Sequence, residues 1–210
     1  LETFGSLEAI RAEKGELARR VKTCVLGRSA AETEASDALV MGRDFDAENI
    51  ALSTDGTSFS LRLPDGTIDV RVPLLGRHAA EDIALAAALC AVLGMKKEQI
   101  AAGIAKIVPV PRRLERKEAN GLLILDDGYN CNAEGAKNAV EVLKLATGRK
   151  AVVTPGIVEL GQLEEEVNGA LGALFAGLDL VVLVGETLVL DVRNGYLAAG
   201  GDQSKLHIVP

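Results

Sequence analysis

The chain has 210 residues, 48% hydrophobic but only 3% aromatic and without Trp. That length suits one large domain or two small ones, with a core built from Ala, Val, Leu and Ile. Thirty acidic against 23 basic residues leave a formal charge of −7. Without basic blocks this argues against nucleic acid as a partner, yet leaves a nucleotide open, since a few aimed amides and cations hold one. Cys24, Cys90 and Cys131 lie far apart without metal-ligand spacing, so reduced buried thiols of a cytosolic protein are expected. His78 and His207 are too few for a multi-histidine metal site. No apolar run reaches the roughly 18 residues of a membrane helix.

In chain order, Leu1–Gly5 reads as neither a signal peptide nor an initiator, but as the middle of a longer protein. Ser6 to Arg20 reads as a helix. Val21–Leu26 and Ala38–Met41 read as short strands. Ser58–Leu63 and Thr67–Val72 alternate polar and apolar residues around Pro64-Asp65-Gly66, which predicts an antiparallel hairpin with one wet face. Ala79–Leu93 is apolar all round and is expected to be a buried helix. Lys97–Ile107 carries Ile100, Ile104 and Ile107 on one helical stripe. Pro109-Val110-Pro111-Arg112-Arg113 breaks the pattern and suggests a boundary between residues 1–110 and 111–210.

Beyond it, strands at Leu122–Leu125, Lys150–Thr154, Leu180–Val184 and Leu206–Val209 alternate with helices at Glu134–Ala146, Leu163–Phe175 and Thr187–Ala199. Alternation of that kind predicts an α/β fold with a parallel sheet. Ligands of such sheets bind beyond the carboxyl ends of the strands. Two loops sit there, Asp126-Asp127-Gly128-Tyr129-Asn130-Cys131-Asn132 and Thr154-Pro155-Gly156-Ile157-Val158-Glu159-Leu160-Gly161. Both are rich in groups that bond sugars, phosphates or carboxylates, although Asp126-Asp127 also suits a strand terminator and helix cap. Arg112-Arg113 suits a phosphate, a base or an exposed interdomain charge. His78 suits a structural cap or a ligand, and Lys14, read alone, a solvated surface. No Walker-type glycine loop occurs.

The segment Asp126–Asn132 resembles the Asp-Asp-x-Tyr-Asn-x-Asn motif of the Mur ligases, in particular the branch that adds D-alanyl-D-alanine in peptidoglycan synthesis. Leu1–Glu8 running into Lys14-Gly15-Glu16, Leu75-Gly76-Arg77-His78, Arg113-Leu114-Glu115, and Thr154–Gly161 with Asn168 agree with that family in order and spacing. The resemblance implies a bacterial cytoplasmic, ATP-dependent amide ligase that joins D-alanyl-D-alanine to a UDP-N-acetylmuramoyl-tripeptide through an acyl phosphate, with Mg²⁺. It implies the later part of a central ATPase-type domain with an antiparallel hairpin in residues 1–110. A Rossmann-like, amine-binding C-terminal domain would follow in 111–210. It further implies a carbamylated Lys14 that helps hold Mg²⁺, ATP contacts from His78, Arg113 and Asp127, a catalytic Asn130, and substrate contacts from Asn132 and Glu159.

Three departures accompany it. The chain begins after the family's phosphate loop and is short at its end, so it looks like a fragment that cannot turn over alone. Ala79 and Asp82 stand where the family carries adenine-binding asparagines. The stretch Glu16–Val21 is too short for the family's extra strand, which predicts a break near Leu17–Ala18. The alternatives are a folylpolyglutamate-synthase-like or cyanophycin-synthase-like ligase of the same fold, or a non-catalytic relative that binds a partner.

Overall fold

The structure is a computed structural model that describes residues 6–33, 35 and 37–210. Leu1–Gly5 lies outside them. Helix α1 (Leu7–Arg20) starts where the Ser6 hydroxyl accepts the Ala9 N–H at 3.1 Å. Near its end Glu16 pairs with both Arg19 and Arg20, one turn on. These pairs straddle Leu17–Ala18, so the helix is continuous there and the expected break is absent. Val21 then caps the helix, which confines strand β1 to Cys24–Leu26. It pairs in parallel with β2 (Ala38–Val40).

The predicted hairpin is the pair β4 (Gly56–Leu63) and β5 (Gly66–Val72), closed by Pro64-Asp65. A third strand, β3 (Asp46–Ser53), pairs antiparallel with β4. Its register shifts between Glu48 and Ala51, around Asn49 at φ 54°. That bulge hides the strand's alternation in the sequence.

Phe59, Leu61, Leu63, Val70 and Val72 face the alanine side of α2 (Arg77–Val92), formed by Ala80, Ala84, Ala87 and Ala88 with Ile83. Small side chains let this helix lie close on the sheet. The expectation of a helix buried all round is corrected, since Leu89 and Leu93 are 48% and 75% exposed. Helix α3 (Lys97–Ile104) buries Ile100, and Ile104 and Ile107 pack beside it, as the stripe predicts.

In the second half, β6 (Glu115–Ala119) and β7 (Leu122–Asp126) form an antiparallel hairpin through Asn120-Gly121, both at positive φ. Strands β8 (Ala151–Thr154), β9 (Leu180–Val184) and β10 (Leu206–Val209) form a parallel sheet in the order β10-β9-β8. Here too an expectation is corrected. Strand β7 does not bond to β8 as its parallel neighbour, and among the described residues it bonds only to β6. The Asn120-Gly121 turn folds β6 back onto it and takes up one of its edges.

Helices α4 (Ala133–Leu145), α5 (Glu164–Leu174) and α6 (Val189–Ala198) connect these strands. Their buried faces join Val181 and Leu183 of the sheet in one core that includes Phe175 and Tyr196. A smaller cluster of Leu75, Leu114 and Val142 joins the two halves.

Helices α5 and α6 touch backbone to backbone. A Cβ on Gly195 would overlap the Gly169 carbonyl, and one on Gly172 would overlap the Val192 carbonyl. Neither oxygen can move without its helix. Gly195→Ala is therefore expected to destabilise the protein by about 2–3 kcal/mol, overpacking outweighing the helix-propensity gain. Gly103→Ala in α3 meets nothing within 4 Å and is expected to stabilise by about 0.5–1 kcal/mol. Denaturant midpoints at unchanged slope measure both.

Candidate functional site

The loop after β7 is fixed by its own side chains. The Lys117 ammonium lies 2.6 Å from Asp126, and the Gly128 N–H donates to the same carboxylate at 3.1 Å. Lys117 first, then that N–H, hold Asp126 below the usual carboxylate range. Asn132 caps α4, its Oδ1 accepting the Gly135 N–H at 2.8 Å. Asp127, half-buried between them, accepts the Leu114 N–H at 2.9 Å.

That last bond ties the linker to the loop, and four more contacts complete the seam. Arg112 Nη2 donates to the Gly128 carbonyl at 2.8 Å, and the Tyr129 N–H donates to the Arg112 carbonyl at 3.2 Å. Arg113 Nη1 donates to the Asn130 carbonyl at 3.4 Å, and its guanidinium lies 4.6 Å from the centre of the Tyr129 ring. Arg112 and Leu114 pay for this with left-handed backbone, at φ 61° and 45°.

The Cys131 thiol sits beside Asp127. Burial first, then the Asp127 charge and a hydrogen bond to it, push the thiol up to about 11. It is protonated at neutral pH and is no nucleophile.

The loop after β8 is held by Asn168, fully buried in α5. Its Oδ1 accepts the Ile157 N–H at 2.8 Å, and its Nδ2 donates to the Ile157 carbonyl at 3.0 Å. Ile157 and the first turn of α4, at Ala133 and Glu134, line one hollow of about 270 Å³. Glu159 is exposed at φ 63° and makes no side-chain hydrogen bond among the described residues.

His78 lies in the first turn of α2. Its Nδ1 is buried without a partner, packed under Gly76, where a Cβ would come within 2.8 Å of it. The neighbouring Arg77 N–H donates to Asn138 Oδ1 of α4 at 3.1 Å. Lys14 is exposed on α1 and forms no ion pair among the described residues.

The structure thus brings Arg113, Asp127, Asn130 and Asn132 into one cluster. It hydrogen-bonds neither Lys14, His78 nor Glu159 to that cluster. Asn138 was missed in the sequence, and Asn168, which the family resemblance placed, was given no structural role there. Their signal was an asparagine on the apolar face of a helix, where such a residue persists only with a specific partner. Among the described residues no three His, Cys, Asp or Glu side chains gather as metal ligands. A carbamate on Lys14 would add one ligand group, so these residues alone do not make a magnesium site.

Cys131 provides a check on this geometry. With Cys24 and Cys90 replaced by Ser, it is expected to alkylate at pH 7.5 about a hundredfold more slowly than a free thiol. Asp127→Asn should speed the reaction by removing the adjacent negative charge, as followed by iodoacetamide labelling across pH.

No family model matches the chain. Among curated proteins, it is 39% identical over 146 residues to the UDP-N-acetylmuramoyl-tripeptide–D-alanyl-D-alanine ligase of Escherichia coli, covering 68% of this chain and 32% of the relative. It is 30% identical over 199 residues to the ligase of the same name from Haemophilus influenzae, covering 88% and 44%. MurF from Acinetobacter baumannii superposes with a TM-score of 0.84 at 26% identity, over 98% of this chain and 47% of that one. MurF from Thermotoga maritima in complex with ADP gives 0.80 at 20% identity, over 99% and 49%. Folylpolyglutamate synthase from Mycobacterium tuberculosis, complexed with ADP, gives 0.70 at 23% identity, over 97% and 49%. The chain spans 32% to 49% of the length of these relatives. Sequence and fold agree, and the chain belongs to the Mur ligase family.

Proposed function

We propose that this chain is part of an ATP-dependent ligase that adds D-alanyl-D-alanine to a UDP-N-acetylmuramoyl-tripeptide in peptidoglycan synthesis, in the bacterial cytoplasm. The observation that carries the reading is the seam between Arg112–Leu114 and Asp127–Asn130, which gathers a motif cluster at the carboxyl end of β7. The higher TM-scores of the D-alanyl-D-alanine ligases favour them over folylpolyglutamate synthase as the closer analogue. Among the described residues no helix is long and apolar enough to cross a membrane.

In this reading residues 1–110 belong to a nucleotide-binding domain and 111–210 to an amine-binding one. A substrate carboxylate takes the γ-phosphoryl group of ATP, ADP leaves, and the amine of D-alanyl-D-alanine displaces phosphate to form the amide. Catalysis of this type is mainly charge stabilisation and alignment. Arg113 supplies a cation for the nucleotide. Asp127 serves two ends, accepting a ribose hydroxyl and holding the linker through Leu114. Asn130 and Asn132 place their backbone and side-chain amides toward the substrates, with Glu159 on the amine side. His78 belongs to the nucleotide end by its place in the family pattern.

Adenine contacts differ from the family pattern, because Ala79 is buried and has no polar side-chain group, while Asp82 is exposed. Magnesium, implied by the family, would take one ligand group from Lys14 as a carbamate, whose oxygens suit a hard cation.

The test uses the full-length protein with ATP, the tripeptide nucleotide and D-alanyl-D-alanine, scoring ADP release and the amide product by mass. Failure of both with authentic substrates would overturn the reading. Asp127→Ala is expected to raise the KM for ATP about ten- to a hundredfold, as the loss of a charged acceptor predicts. Asp127→Asn, which keeps an acceptor for the Leu114 N–H, should lose less. Lys14→Ala should lose turnover and regain part of it with added short carboxylates, measured by the same ADP assay.

A further inference from the structure

Of the two arginines of the linker, Arg112 lies within electrostatic reach of Asp126, whereas Arg113 has no carboxylate at ion-pair distance among the described residues. No nearby carboxylate lies within ion-pair distance of either guanidinium among the described residues. Asp126 and Glu115 both bind the Lys117 ammonium, at 2.6 and 3.0 Å. Glu115 also accepts the Arg112 backbone N–H, and Asp127 accepts the Leu114 N–H. Among the described residues neither Arg112 nor Arg113 forms an ion pair. Both are held instead by neutral groups. Arg112 is held by the Gly128 carbonyl, and Arg113 by the Asn130 carbonyl and the face of the Tyr129 ring.

An aromatic face orients a guanidinium while leaving its full positive charge available. A carboxylate in the same place would orient it equally well and spend the charge. Tyr129 is 67% exposed, so its ring is not needed to fill a core. The Arg113 guanidinium lies over its ring face, 4.6 Å from the centre. We propose that Tyr129 is a positioning residue, whose ring holds the Arg113 guanidinium over the loop after β7 with its charge unspent, ready for a polyphosphate anion. The use of that anion in catalysis rests on the ligase reading above, whereas the clamp and its preference for an anion do not.

Nuclear magnetic resonance of the 210-residue chain tests this through the Arg113 Nε–H signal, assigned by its loss in Arg113→Lys. The ring current of Tyr129 should move that signal upfield. Tyr129→Phe should keep the shift, and Tyr129→Leu should return it to the range of free arginines. Tyr129 is exposed, so neither variant removes a core contact, and unchanged amide signals elsewhere check the fold.

Inorganic tripolyphosphate is the probe. It should shift the Arg113 signal in the unmodified chain and in Tyr129→Phe, and bind about two- to fivefold more weakly to Tyr129→Leu, the range for an exposed cation–π contact. An Arg113 signal that ignores tripolyphosphate, or equal affinity in Tyr129→Leu, overturns the proposal. A full-length protein that makes no amide, while its Arg113 signal still responds as expected, overturns the ligase reading and leaves this one intact.

Discussion

One buried amide ties the two halves of the molecule together. Asn138, on the inner face of α4, accepts the Arg77 N–H with its oxygen and donates to the Glu134 carbonyl with its nitrogen. It is only 4% exposed, so both ends of the amide need these partners, and an unpaired one would cost the full desolvation penalty. Arg77 opens α2, where its N–H would have no partner inside the helix. Asn138 thus completes the start of one helix from the side of another, 61 residues away. Around it the apolar contact of Leu75, Leu114 and Val142 excludes water, and the exposed Arg77–Glu141 pair at 3.2 Å closes the rim. Because α4 begins at Asn132, this one bridge sets where the motif loop lies relative to His78.

The same economy governs the loops themselves. Polar residues that look like a binding constellation in the sequence are in part the struts of their own loop. Asn132 caps α4, Asp126 anchors Lys117 and the Gly128 N–H, and Asn168 holds Ile157 from both sides. Such fixed backbone is what a ligand needs, since groups locked in place lose little freedom on binding. A structural role and a binding role are therefore not exclusive for Asp127. One carboxylate oxygen is enough for Leu114, and the group has further acceptor capacity.

How far the sequence shows all this depends on the range of the interaction. The hairpin at 56–72 was legible because alternation and the Pro64-Asp65-Gly66 turn are local. Strands β9 and β10 were legible because short apolar runs between helices have few other readings. Strand β6 was not, because Glu115–Ala119 is dense in charge and its pairing depends on a turn at Asn120-Gly121. The one-sided burial of α2 was illegible because alanine marks close helix–sheet contact as readily as full burial. The motif loop could be found since its residues are contiguous. Asn138, the partner of Asn168 and the Tyr129–Arg113 stack could not, since each depends on a contact supplied by the fold.

The linker shows the physical cost of the arrangement. Two residues without a glycine's freedom, Arg112 and Leu114, adopt left-handed backbone on either side of Arg113. Such conformations cost on the order of 1–3 kcal/mol each and persist only where the surroundings over-determine them. Here the surroundings are the Asp127 carboxylate, the Gly128 and Asn130 carbonyls, the Tyr129 N–H and the Tyr129 ring. Most of these contacts are solvent-exposed and individually weak, so the strain and the seam are of comparable size.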